Sequence, residues 1–316
     1  TNDIERYEVN AYGRRISQLE FQKGEKGKTL RLTIDTEVQK LANELLKDKA
    51  GSICVMDIYT GAVIAMHSSP SFDPNLFVFG ISQDDWQLIR NDPMKPLVNK
   101  TLQGNYSPGS TIKPIVALSA LENGIVNTSF TVRCTGKTEM YGQTYHCWKK
   151  KGHGYVSLRN AMKQSCDTYF YEVARKVGVK RIGDMARRLG LGQAYNLPLT
   201  GLSKGFVPTK KWKKERFGTS WLVGDTLNVG IGQGFSLATP LQLAVMTARL
   251  ASGKEVIPNI IKDSNKKTDN PKALLIKENT LVAIRRGMFD VLNEKDGTAF
   301  NFRTTDENFL IAGKTG

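Results

Sequence analysis

Two short β-prone segments stand almost the whole chain apart: "LRLTID", where Leu30, Leu32 and Ile34 alternate, and "FLIAGKTG", where Phe309 to Ile311 are apolar. Most of what lies between carries helical periodicity. The expected architecture is therefore α/β, with a sheet that draws on distant segments. Asp35 or Thr36 can cap a helix over "EVQKLANELLKDKAG" that stops at Gly51. "SICVMDIYTGAVIAMHS" predicts two strands joined around Thr60-Gly61, and "SPSFDPN" a loop. Ile115, Ala117, Leu118 and Leu121 recur at helical spacing until Asn123-Gly124. A second long helix is predicted over "SLRNAMKQSCDTYFYEVARKVG" with Ser157 as N-cap, a third over "TPLQLAVMTARLASG" with Thr239 as cap, and a fourth over "NTLVAIRRGMFDVLN". Residues 1–28 are polar without a sustained period, so one large domain over 29–316, preceded by the end of another unit, fits a chain of 316 residues.

The chemistry begins at "SPGSTIKP". Pro108-Gly109 makes a turn, Ser110 falls at a helix start, and Lys113 follows one turn on along the same face. A serine hydroxyl is a weak nucleophile until a base takes its proton, and an amine does so only when neutral. Burial or a nearby cation must therefore lower the lysine pKa. By itself S-x-x-K is weak, since a capped helix with a surface lysine looks the same. Two further motifs strengthen it: "QSCD", placing Ser165 and Asp167 within a helix, and "GKTG", with Lys314, Thr315 and Gly316 ending an apolar strand. Phosphate-loop readings fail. None of the three "GKT" occurrences has the glycine spacing of a Walker loop, and "GIGQG" lacks the dinucleotide-binding spacing.

In that order and separation the motifs resemble the transpeptidase domain of class B penicillin-binding proteins, most closely the elongation type called penicillin-binding protein 2. "LTID", "SPSFDPN", "SCDTYFYEVA", "GDTLNVGIGQG" and "AGKTG" carry the likeness across 29–316. It implies a penicillin-binding/serine β-lactamase-like fold, an antiparallel sheet flanked by helices plus an all-helical subdomain. Residues 1–28 resemble the last part of a non-catalytic pedestal. By the same likeness Ser110 is the nucleophile, Lys113 its base and Ser165 a proton relay. Lys314 and Thr315, with Gly316, hold the substrate carboxylate, and the charge of Lys314 helps keep Lys113 neutral. Asp167 stands where many relatives have asparagine, and either orients Lys113 or is structural. The Ser110 N–H is one oxyanion donor; the family's other donor follows K-T-G, where this sequence stops, so the last strands and a C-terminal helix are expected to be missing. The implied enzyme cross-links D-Ala-D-Ala peptidoglycan stem peptides, is acylated by β-lactams, sits at the periplasmic face of the inner membrane, and works with a rod-shape membrane glycosyltransferase.

Cys134, Cys147 and Cys166 cluster with His146 and His153, two of the three histidines in the chain. A Cys134–Cys147 disulfide is one reading. The preferred one is a structural zinc held by Cys134, Cys147, His153 and Cys166, with His146 as substitute ligand. The positions of Cys147, His153 and Cys166 match a metal site in some elongation-type relatives. Cys54 is expected to be a buried small hydrophobe. The net charge of +15 is scattered, with basic runs at Lys149–Lys151 and around Trp212 expected to be solvated loops, so nucleic acid is not an expected partner. No basic segment followed by an apolar run opens the sequence, so neither signal peptide nor anchor is expected within it. A class D-type β-lactamase or penicillin sensor, and a non-catalytic cell-wall scaffold, are the competing readings.

Overall fold

The computed structural model describes residues 3–262 and 271–316. The chain opens with a hairpin, β1 (Ile4–Val9) and β2 (Arg15–Gln22), whose residues are almost all exposed. Asp35 then caps α1 (Thr36–Leu45) by accepting from the amides of Glu37 and Val38. α1 ends short of Gly51, because Gly51 begins β3 (Gly51–Met56) and the intervening residues form the turn that feeds it. β3 pairs antiparallel with β4 (Val63–Ser69), the expected hairpin around Thr60-Gly61.

Distant segments close on this hairpin, as expected, although "LRLTID" is not a full strand. Its ladder shrinks to a bridge between Leu32 and Ile261, supported by Thr33 N–H donating to Ile260 O and Asp35 N–H to Ile64 O. Leu30 and Leu32 are exposed, so the alternation there covers no core.

α2 (Gln83–Asn91) leads to a single 3₁₀ turn at Gly109–Ile112, which runs into α3 (Lys113–Glu122). α3 is the centre of the molecule. Ile115, Val116, Ala117, Leu118, Ser119 and Ala120 are all fully buried, so the helix is apolar around most of its circumference and packed on every side. At about 1.5–3 kcal/mol for each large buried side chain, this packing makes the first turn of α3 a rigid mount. That turn carries Lys113.

Four short strands follow, β5 (Thr131–Cys134), β6 (Lys137–Met140), β7 (Gln143–His146) and β8 (Gly154–Ser157), with β5 paired to β8 and β6 to β7. The long helix predicted from Ser157 is broken in two: α4 (Leu158–Lys163) and α5 (Asp167–Val177). Between them Ser165 adopts a left-handed conformation with φ 53° and Cys166 becomes the N-cap of α5. Apolar residues on both halves face the core, so the periodicity runs through the break without marking it.

α6 (Val179–Arg188), α7 (Lys210–Phe217) and α8 (Val223–Gly230) complete the helical side, α5 packing on α3 and α8. The basic run around Trp212 is thus a helix, not a loop, and its Lys213 is buried in an ion pair with Asp225. α9 (Pro240–Ser252) is capped by Thr239 in a reciprocal box with Gln242, and α10 (Glu278–Asn293) packs on α3 and α4.

Beyond α10, "FLIA" forms no strand. Phe309 to Ile311 are exposed and have no ladder partner among the described residues, and a strand without a partner has nowhere to send its backbone groups. The segment is instead tied to α10, Asn293 Nδ2 donating to Ile311 O at 2.8 Å and Gly313 N–H to Met288 O at 3.0 Å. Among the described residues no helix is long and apolar enough to cross a membrane.

Candidate active site

Three parts of the chain meet at the hydroxyl of Ser165. Lys113 Nζ lies 3.1 Å from Ser165 Oγ, and Lys314 Nζ, 149 positions along the chain from Ser165, lies 2.9 Å from the same oxygen. Lys113 is wholly buried and also donates to Ser165 O at 2.9 Å and to Asp167 Oδ1 at 2.6 Å. Its three acceptors therefore lie in the break between α4 and α5 and on the first residue of α5.

That break is what aims them. A continuous helix would turn the Ser165 carbonyl along its axis; the left-handed residue frees it to face α3 instead. Asp167, at the first turn of α5, is favoured by the helix dipole and accepts directly from Lys113.

Ser110 sits in the 3₁₀ turn ahead of α3, not in the helix itself, half-buried. Ser110 Oγ has no hydrogen-bond partner among the described residues, so the structure holds Ser110 and Lys113 on one turn without joining them. The turn is clamped from two sides. Gly109 N–H donates to Gly232 O at 3.0 Å, which brings the "GIGQG" loop against it. On the other side a Cβ on Gly109 would stand 3.6 Å from the Gly316 carbonyl carbon. Thr315 Oγ1 is 2.8 Å from Thr298 Oγ1, and Lys314 Nζ also donates to Thr315 O at 3.0 Å.

Burial pushes Lys113 below the usual lysine range, opposed mainly by the charge of Asp167. Lys314 is pushed down to about 7, by burial first and then by the charge of Lys113. The repulsion between the two ammonium groups is mutual, and Asp167, in contact with Lys113, opposes the lowering there.

Directly behind the break stands the cysteine cluster. Cys134 ends β5, Cys147 follows β7, His153 precedes β8 and Cys166 caps α5; one ligand atom from each lies within 4.8 Å of the others. None of the cysteines is disulfide-bonded, and exposed His146 lies outside the set. His153 Nδ1 is 3.5 Å from both Cys134 Sγ and Cys147 Sγ. Bonds of ordinary zinc length at tetrahedral angles give nitrogen–sulfur edges of about 3.6 Å, so these distances fit such an ion. Three thiols and an imidazole are also a donor set that zinc takes. Hydrogen bonding from Cys166 and backbone amides, those of Asp167 and Thr168 among them, pulls the Cys147 thiol down towards thiolate, and burial pushes His153 down towards neutral imidazole; the same Cys147 contact and burial push Cys166 up, so its proton is the one an ion would have to displace. Cys54 lies apart in β3, half-buried, its thiol pushed up to about 12 by burial.

Sequence reasoning missed Trp148. Its main-chain N–H donates to Asp167 Oδ2 at 3.0 Å, and its indole N–H is shared between Gln164 O at 3.0 Å and Ser165 O at 3.1 Å. Its place directly after Cys147 was the one available hint.

Residues 51–316 match the family described as the penicillin binding protein transpeptidase domain. The chain belongs to that family. It is 36% identical to the peptidoglycan D,D-transpeptidase MrdA of Haemophilus influenzae, with all of this chain and 50% of the relative aligned, and 35% identical to that of Escherichia coli K12, with 99% and 51% aligned. The chain thus spans about half the length of the curated relatives it matches. Among solved structures, penicillin-binding protein 2 in complex with MreC from Helicobacter pylori superposes with a TM-score of 0.87 at 35% identity, covering 99% of this chain and 58% of that one. Pseudomonas aeruginosa penicillin-binding protein 2, in complex with WCK 5153, gives 0.86 at 38%, covering 91% and 67%. The fold is the penicillin-binding transpeptidase fold, and the resemblance to elongation-type penicillin-binding proteins 2 holds along the chain.

Proposed function

We propose that this chain is the acyl-transfer unit of a peptidoglycan D,D-transpeptidase of the elongation type. The observation that carries the reading is the convergence of Lys113 and Lys314 on one buried hydroxyl, Ser165 Oγ, beside the turn that bears Ser110. A scaffold has no use for two lysines of lowered pKa, one buried and one half-buried, facing one serine.

Neutral Lys113 takes the Ser110 proton, and Ser110 Oγ attacks the carbonyl of the penultimate D-alanine of a stem peptide. The new bond is the Ser110 ester; the bond broken is the peptide bond to the terminal D-alanine, whose amine leaves with a proton passed through Ser165. Lys314, Thr315 and Gly316 hold the terminal carboxylate, and the Ser110 N–H, at the head of α3, faces the developing oxyanion. An amine from a second stem peptide then displaces Ser110 and forms the cross-link. A β-lactam follows the first half of this path and stays attached. Cys134, Cys147, His153 and Cys166 would hold a structural zinc ion, which would tie the end of β5, the residues before β8 and the start of α5 together outside the path of acyl transfer. The rod-shape membrane glycosyltransferase is the expected partner, and the periplasmic face of the inner membrane the expected location.

Intact mass after incubation with benzylpenicillin tests the reading on the full-length protein. A long-lived adduct, absent from Ser110→Ala, is expected. Loss of the adduct within seconds would instead indicate a β-lactamase, and no adduct at all a scaffold.

A further inference from the structure

In this state Lys113 is fully engaged and makes no bond to Ser110. To accept the Ser110 proton it must lose one of its own and turn a lone pair towards Ser110, so at least one buried acceptor loses its donor at that moment. An orphaned buried acceptor is costly and tends to move until it finds another partner. Here each acceptor group already has a second donor, on the same atom for the two acceptors of Ser165 and on the other carboxylate oxygen, Oδ2, for Asp167. Ser165 Oγ has Lys314 Nζ at 2.9 Å, Ser165 O has the Trp148 indole N–H at 3.1 Å, and the Asp167 carboxylate has the Trp148 main-chain N–H at 3.0 Å. Two of the three reserves come from Trp148.

We infer that Trp148 is a positioning residue for acyl transfer: it holds the Ser165 carbonyl and the Asp167 carboxylate in place while Lys113 changes protonation state and partners. The inference rests on the acyl-transfer reading above. Burial does not explain the residue, because Trp148 is 59% exposed although both of its N–H groups are engaged. Its own mount is firm. Cys147 precedes it with a buried thiol in the cysteine cluster, and its ring lies edge-on to His153 with centroids 5.4 Å apart. The backbone it secures needs securing, since the left-handed conformation of Ser165 is costly for a residue with a Cβ. Trp148 thereby links the cysteine cluster to the residues that face Lys113.

The test separates rate from amount of active protein. In Trp148→Phe the ring and main-chain N–H remain while the indole N–H is lost; in Trp148→His the imidazole Nε2 takes the topological place of the indole nitrogen. Benzylpenicillin acylation of the full-length protein is resolved into a limiting rate constant and an initial binding constant. Trp148→Phe is expected to lower the limiting rate about tenfold or more while changing initial binding less than about twofold, with Trp148→His recovering part of the loss. A wild-type limiting rate in Trp148→Phe, with only the amplitude or melting temperature reduced, would overturn the inference and leave Trp148 as packing. Should Trp148→Phe not fold, hydrogen exchange of the wild-type indole N–H decides: slow exchange despite the exposed ring supports the arrangement, and exchange at the free-indole rate overturns it. A wild-type protein that forms no adduct would sink the acyl-transfer reading itself, and this inference with it.

Discussion

Gly232→Ala tests whether the glycine loop sets the position of Ser110. Gly232 has φ +73°, and a Cβ placed there would stand 2.6 Å from both Gly109 N and Gly109 C and closer still to the Gly109 oxygen. These are backbone atoms of the residue just before Ser110, so no side chain can rotate away. Relief requires the turn to retreat by about 1 Å, from below 3 Å to ordinary contact near 3.5 Å. That movement weakens the 3.0 Å bond from Gly109 N–H to Gly232 O, worth about 1 kcal/mol, and alanine in the left-handed region adds about 1–2 kcal/mol. A loss of roughly 2–3 kcal/mol lowers the melting temperature by about 3–5 °C in a chain of this size. A displacement of about 1 Å at a nucleophile costs on the order of 100-fold in rate. Gly234→Ala separates the two effects. Gly234 shares the left-handed backbone, φ +72°, but its Cβ meets only Asn228 Cβ at 3.3 Å. It is expected to lose stability while keeping acylation within about threefold of wild type. Thermal melting and acylation by a fluorescent penicillin measure both quantities. Equal acylation rates in Gly232→Ala and Gly234→Ala would refute the reasoning, since the clash with Gly109 is the only difference invoked.

Asp167→Asn removes the main charge that opposes burial at Lys113, so the Lys113 pKa falls further; stability should fall through the broken buried ion pair, by up to about 3 kcal/mol on denaturant unfolding, and acylation should lose its dependence on pH at the upper end. Lys314, pushed down to about 7, loses its charge as pH rises through that value, so the initial binding of carboxylate-bearing β-lactams should weaken above about pH 7. Stability runs the other way: between about 7 and the ordinary lysine value of 10.5 the unfolded chain binds the proton that native Lys314 lacks, so the Lys314 contribution becomes less unfavourable as pH rises across that window, which urea titrations against a Lys314→Met control will show. Metal analysis of protein purified without chelator should find about one zinc per chain; Cys166→Ser should abolish it and lower the melting temperature, and a strong chelator should do the same to the wild type, whereas full stability after metal-free handling refutes the site.

Much of this architecture was legible because it depends on local rules. The caps at Asp35 and Thr239, the hairpin around Thr60-Gly61 and the C-terminal end of α3 follow from residues within a few positions of one another. The two terminal strands were misjudged for the complementary reason. Alternating or apolar residues at 30–35 and 309–311 state a preference for extended backbone, but a strand exists only where a second backbone lies beside it, and that is a property of the tertiary arrangement. The site motifs were legible as residue types. Their mutual geometry was not, since Lys113 and Asp167 lie 54 positions apart and Lys314 and Ser165 lie 149 apart.

The break at Ser165 shows why local consistency misled at the place that matters most. Every residue from Leu158 to Val177 fits a single helix by pattern, and both halves bury their apolar faces. A continuous helix would satisfy the Ser165 carbonyl internally and leave Lys113, sealed in the core on α3, without its acceptors. The break reverses the balance: the left-handed residue costs about 1–2 kcal/mol, while the freed carbonyl, the Ser165 hydroxyl and the Asp167 carboxylate give a buried ammonium all three of its hydrogen bonds. A lysine fifty-two residues earlier thus supplies a reason for the break, and the same break puts Ser165 Oγ within reach of Lys314. Lys113→Ala removes that reason. The interruption should then relax towards continuous helix, read as new hydrogen-exchange protection of the Asp167 and Thr168 amides at the head of α5, since the Ser165 and Cys166 amides already donate to Met162 O and Ala161 O; an unchanged break in Lys113→Ala would show that Trp148 and the cysteine cluster suffice to impose it.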